Sequence, residues 1–97
     1  MRDYKLTKQA AKKLKFLIKN DLKTAEKLKA VIMKLRHDLI SGESLQGHSE
    51  FKKVRVGKFR LIYAHQEQLL LIAIIDKREI VYQVFDHAIK NSNFLEL

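Results

Sequence analysis

The 97-residue sequence predicts an α+β fold: an N-terminal strand and an αα-hairpin packed on one face of a small, mainly antiparallel sheet of four to five strands. Two periodicities carry this reading. Apolar residues recur every three to four positions as far as Leu39, and every second position from Val54 onward. Punctuation supports it: proline is absent, and the three glycines, Gly42, Gly47 and Gly57, all fall after the helical stretch.

Tyr4–Leu6 reads as a short opening strand, and Thr7 is placed to cap the helix that follows. Ala10, Ala11, Leu14, Leu17 and Ile18 form one apolar side to about Lys19. Asn20-Asp21 interrupts the run and Asp21 caps a second helix, whose stripe is Leu22, Ala25, Leu28, Ile32, Leu35 and Leu39. Residues 40–50 read as a loop. Val54 and Val56 alternate with Lys53 and Arg55 as a strand, and Gly57-Lys58 is a two-residue hairpin turn. The return strand is Phe59–Ala64. Leu69–Ile75 is apolar throughout, as a central strand is. Ile80–Phe85, β-branched and aromatic, reads as a fifth strand, with a helical turn as the alternative. Asp86–Lys90 opens a short helix. A chain of this length fits one domain, residues 1–97.

Twenty lysines and arginines face eleven acids, a formal charge of +9. Residues 1–36 hold twelve basic and three acidic residues, and residues 52–60 hold five basic residues and no acid. Such a surplus suits a polyanionic partner, although scattered helix lysines are first of all a solvated face. Cysteine is absent, which removes disulfides and thiolate metal sites and suits a cytoplasmic protein. The longest apolar run is strand-sized, so membrane insertion is not expected. His37, His48, His65 and His87 show no metal-like spacing, and neither a metal nor a cofactor is expected.

Hairpin geometry concentrates the charge. With Gly57-Lys58 as the turn, Val56 lies opposite Phe59, Arg55 opposite Arg60, Val54 opposite Leu61 and Lys53 opposite Ile62. Facing residues share a side of the sheet. The apolar members go to the core, and Lys53, Arg55 and Arg60 go together to the face left open. Opposed like charges are unfavourable in a ladder: either an anion bridges them, since arginine forks match phosphate oxygens, or the long side chains splay into water and repel little. Arg78 follows the buried run and falls at the sheet rim, with Tyr82 four residues on, which by spacing alone reads as a core aromatic with its hydroxyl at the edge.

Phe51-Lys52-Lys53-Val54-Arg55-Val56-Gly57-Lys58-Phe59-Arg60-Leu61-Ile62-Tyr63 resembles the central hairpin of the RelE/ParE toxin superfamily. Leu45-Gln46-Gly47 resembles the Leu-x-Gly before that hairpin, and Lys77-Arg78-Glu79-Ile80-Val81-Tyr82 is similar to the superfamily's His-Arg-x-x-Val-Tyr ending. The resemblance spans roughly residues 3–85, with Lys77 where many relatives carry histidine. It implies the toxin of a type II toxin–antitoxin pair. In the RNA-cutting branch it implies ribosome-dependent cleavage of messenger RNA, and restraint by a cognate antitoxin that is acidic or carries a DNA-binding part. The implied catalytic residues are Lys53, Arg55, Arg60, Arg78 and Tyr82, with Lys52, Lys58 and Lys77 as further RNA contacts.

Cleaving RNA without a metal requires a base for the 2′-hydroxyl, charge stabilisation at phosphorus and an acid for the leaving 5′-oxygen. Arg55, Arg60 and Arg78 suit the second task, and Tyr82 or Lys53 the first. So sparse a set suits an enzyme whose substrate is positioned by a larger machine. Two other readings stand beside it: a gyrase inhibitor of the same fold, and a non-catalytic nucleic-acid-binding module or decayed toxin.

Overall fold

The structure, a computed structural model, describes residues 1–91. Its elements run β1 (Asp3–Leu6), α1 (Lys8–Asn20), α2 (Leu22–Arg36), β2 (Glu43–Leu45), β3 (His48–Val56), β4 (Phe59–Gln66), β5 (Leu69–Lys77) and α3 (Val81–Asn91). The five strands lie in the order β1-β5-β4-β3-β2. All neighbours are antiparallel except β1 and β5. The α+β architecture is therefore as read from the sequence, with two elements differing from expectation.

The helical hairpin forms as its caps dictate. The Thr7 hydroxyl accepts from the Ala10 amide at 3.2 Å and donates to the Ala73 carbonyl at 2.6 Å, so one side chain both starts α1 and ties it to β5. The Asp21 carboxylate accepts from the Thr24 amide at 3.3 Å and from the Thr24 hydroxyl at 2.7 Å, starting α2. Ala10, Leu14, Leu17, Ala25, Leu28, Ile32 and Leu35 bury against Val56, Phe59, Leu61, Tyr63, Leu70, Ile72 and Ile75 of the sheet. Ile18, Leu22 and Leu39, counted in the apolar stripes, are instead exposed. Ile18 and Leu22 flank the break at Asn20-Asp21, and Leu39 lies beyond the end of α2.

β1 covers only the first half of β5, pairing as far as Leu6 with Ile72. Gln9, on the first turn of α1, takes over beyond it. Its Oε1 accepts from the Ile75 amide at 2.9 Å and its Nε2 donates to the Ile75 carbonyl at 2.8 Å. A side-chain amide thus supplies the two hydrogen bonds that a longer β1 would have made, and β5 keeps no unpaired polar group at that point.

Two readings are corrected on the other side of the sheet. Residues 40–50 are not all loop: Glu43–Leu45 forms the edge strand β2, paired with β3 at Glu43↔Lys53 and Ser44↔Lys52. Three residues are too few to show an alternation, so pattern could not reveal it. Ile80–Phe85 is not a strand: Val81 opens α3, and Val81, Phe85 and Ala88 are buried at spacings of four and three. They pack with Leu45, Phe51, Ile62, Ala64, Ala73 and Ile74 as a second core. Tertiary burial overrides the β preference of these side chains. Among the described residues, α3 therefore covers much of the face expected to be open and leaves the part beside the β3–β4 turn uncovered. Residues 92–97, beyond the span of the family resemblance, lie outside the described residues.

Candidate functional site

What remains uncovered is a cleft of ≈ 330 Å³ lined by Ser41, Gly42, Glu43, Lys53, Val54, Arg55, Arg60 and Tyr82. Four elements meet there, and each delivers its side chain by alternation or by helix phase. The hairpin register is the one expected, Val56↔Phe59, Arg55↔Arg60, Val54↔Leu61 and Lys53↔Ile62. Gly57 at φ 60° makes the tight turn, a conformation that costs glycine nothing. Lys53, Arg55 and Arg60 consequently share one side.

Arg60 is fixed before any ligand arrives. Its Nη1 donates to the Phe59 carbonyl at 2.8 Å and to the Gly57 carbonyl at 3.0 Å. Both protons of that nitrogen are used, and the Nε and Nη2 donors stay available to an anion. Arg55, directly across, is exposed and makes no ion pair among the described residues. Lys53 holds its ammonium 5.5 Å from the centre of the Tyr82 ring, a cation–π approach that links β3 to the first turn of α3. Tyr82 is 39 % exposed and stands at the cleft rather than in the core.

Arg78 is not a lining residue. It lies in the turn after β5, where its amide donates to the Lys58 carbonyl at 3.0 Å and its exposed guanidinium pairs with Glu79 at 3.2 Å. The rim position is as read, while convergence with Arg55 and Arg60 on one cleft is corrected: two of the three arginines meet. Lys52 alternates to the opposite side and reaches the Ser41 hydroxyl at 3.4 Å. Lys58 in the hairpin turn and Lys77 at the end of β5 are exposed and outside the cleft.

One cleft residue escaped sequence reading. Glu43 stands directly opposite Lys53 in the β2–β3 register, and its carboxylate has no hydrogen bond or ion pair among the described residues. Its signal was hidden because it belongs to the unrecognised strand β2. No histidine lines the cleft. His48 packs edge-on against Phe85 at 5.2 Å, His65 leans on Tyr63 at 5.5 Å, and His87 contacts Asn91. Burial, and then the charge of Arg2, hold His65 below the usual imidazole pKa. Among the described residues, no three His, Asp or Glu side chains gather as a metal site.

Net charge and cleft do not coincide. Residues 8–36 carry ten basic and two acidic residues, net +8, whereas residues 37–97 carry eight of each, net zero. Lys8, Lys12, Lys15, Lys19, Lys23, Lys27, Lys29 and Lys34 are all exposed on the helical layer, on the far side of the sheet from the cleft. The cleft is basic by local arrangement and not by the composition of its half of the chain.

The family model of the ParE toxin of the parDE type II toxin–antitoxin system matches residues 4–84. The chain belongs to this toxin family. No curated protein sequence matches it. Two solved E. coli structures share the fold. YafQ in the DinJ–YafQ complex is 20% identical, with a TM-score of 0.68 over 84% of this chain and 99% of that chain. In the DinJ–YafQ toxin–antitoxin complex the match is 21% identical, with a TM-score of 0.67 over 84% and 97%. The matched span of the family, residues 4–84, contains every residue lining the cleft. No helix among the described residues is long and apolar enough to cross a membrane.

Proposed function

We propose that this toxin is a ribosome-dependent endoribonuclease that cuts messenger RNA without a metal ion, in the cytoplasm, and that a cognate antitoxin silences it. The observation that carries the reading is the composition of the cleft: a pre-fixed Arg60, a facing Arg55, Lys53, a phenol and one carboxylate around an open space of ≈ 330 Å³. A surface that merely binds DNA has no need of the last two.

In this reading the scissile phosphate sits between Arg60 and Arg55, whose forks neutralise the charge that builds on its oxygens. Glu43 takes the 2′-hydroxyl proton, a task that the sequence alone assigned to Tyr82 or Lys53. The 2′-oxygen bonds to phosphorus, the bond to the 5′-oxygen breaks, and the Tyr82 hydroxyl protonates the departing oxygen. Lys53 moves from the Tyr82 ring to a phosphate. Arg78, Lys58, Lys77 and Lys52 contact flanking backbone. The ribosome holds the message in line, which the shallow cleft does not do by itself. The structural likeness to YafQ, crystallised with DinJ, supports a toxin held by an antitoxin.

A ParE-type match favours one other reading, inhibition of DNA gyrase. Induced expression separates the two. The nuclease reading expects messenger RNA to be lost within minutes while chromosomal DNA stays intact. DNA breaks with stable messages would replace it by the gyrase reading.

A further inference from the structure

Glu43 reaches the cleft from a three-residue edge strand, which is a weak foundation for a reacting group. The structure shows what steadies it. Tyr63 points to the opposite face of the sheet from the cleft, with its ring buried in the first core at 1% exposure. Its hydroxyl extends to the edge and accepts the Gly42 amide at 2.8 Å. Gly42 immediately precedes Glu43, so the bond anchors the peptide from which the carboxylate projects.

Gly42 is shaped for this contact. A Cβ at that position would overlap the Lys53 carbonyl oxygen and lie 3.1 Å from Tyr63 Cε1. The first obstacle is backbone and cannot swing aside. Lys53 is the register partner of Glu43, so the missing side chain at Gly42 lets the segment entering β2 lie flat against β3. Between Ser44 and Leu45 the register shifts, and regular pairing holds the strand only at Glu43 and Ser44. The Tyr63 bond therefore supplements a ladder of two regular pairs.

We infer that Tyr63 is a positioning residue for the cleft: its buried hydroxyl, through the Gly42 amide, holds Glu43 in register with Lys53, in the cleft that Arg55 and Arg60 also line. This rests on the nuclease reading and adds to it a residue that touches no substrate. The geometry has a clear chemical logic. A phenol inside the core loses little freedom on fixing a loop, since the packed ring is already immobile. The relay couples packing of the first core to chemistry on the other side of the sheet.

The test is a double-mutant cycle on ribosome-bound message, with Tyr63→Phe, Glu43→Gln and the double variant, read as single-turnover cleavage rates. Tyr63→Phe keeps the ring and removes one oxygen. It is expected to slow cleavage about tenfold at unchanged affinity for the programmed ribosome, corresponding to about 1.4 kcal/mol. Glu43→Gln is expected to slow it more, and the double variant to be no slower than Glu43→Gln alone. Additive losses, or wild-type rates in Tyr63→Phe, would overturn the inference, because a merely structural hydroxyl would act independently of Glu43. A second readout does not require activity: amide hydrogen exchange at Gly42, slow in the wild type and accelerated in Tyr63→Phe. If the wild-type protein cuts no message, the nuclease reading fails. A protected Gly42 amide would then still support the clamp, and an amide that exchanges freely in the wild type would remove it.

Discussion

Arg55 and Arg60 face one another across the β3–β4 ladder, one extending into solvent and one pinned to the backbone of its own turn. A like-charged pair in that position is a local cost of a few tenths of a kcal/mol to about 1 kcal/mol. An anion between the two removes it. The pair therefore explains itself as a binding site better than as a stabilising element, and the consequences differ by residue.

Arg60→Ala should reduce cleavage about 100-fold or more, the usual effect of removing one pre-organised donor from a developing anion, while leaving the melting temperature unchanged or slightly raised. Arg78→Ala should reduce it less than about tenfold, because its guanidinium lies outside the cleft and is paired with Glu79. Cleavage assays of the two purified variants check the ranking.

Phe85→Ala should cost about 3–5 kcal/mol in urea unfolding, the range for emptying a large buried aromatic site. Phe85 is 2% exposed and meets Phe51 and His48 edge-on at 5.0 and 5.2 Å. Loss of its packing should also release the first turn of α3, and with it Tyr82 from Lys53. Activity should therefore fall further than the folded fraction does.

The legibility of the chain follows from how far each signal reaches along it. The hairpin register was recoverable because a two-residue turn dictates every pairing beyond it, down to Arg55↔Arg60. The caps at Thr7 and Asp21 were recoverable because a cap is a local event. α3 was not, since Val81, Val84 and Phe85 favour a strand locally and turn helical only against Ile62, Ile74 and Phe51. Glu43 was lost with β2, a strand stabilised by the Tyr63–Gly42 bond across 21 positions. Arg78 was placed correctly on the rim, but its direction is set by Glu79 and not by the strand it follows.

Asp21→Ala should destabilise the fold at neutral pH, whereas Asp21→Asn should retain much of the cap. The Thr24 hydroxyl and then the Thr24 amide hold the Asp21 carboxyl below its usual pKa of 3.8. A depressed carboxyl pKa means that the unfolded chain takes up the proton first. The contribution is thus complete well above pH 3.8 and is lost as the pH falls through the folded value. Urea titrations of wild type and Asp21→Ala should differ near neutral pH and converge in strong acid, below the folded pKa.

Neutralising Lys12, Lys19, Lys23 and Lys27 together should flatten the salt dependence of binding to programmed ribosomes, because fewer RNA phosphates are then neutralised and fewer counterions are released. These lysines belong to the net +8 helical layer and not to the cleft. Cleavage of message already bound at low salt should be little changed. Binding titrations between low and physiological salt check this.

The most direct test of the cleft as a nuclease site is primer extension on a translated message, using purified toxin with and without ribosomes and the Arg60→Ala variant alongside. New 5′ ends are expected only when wild-type toxin and ribosomes are both present, and none with the variant. Intact message in the complete reaction, or equal cutting by Arg60→Ala, would contradict a nuclease site built on this arginine pair.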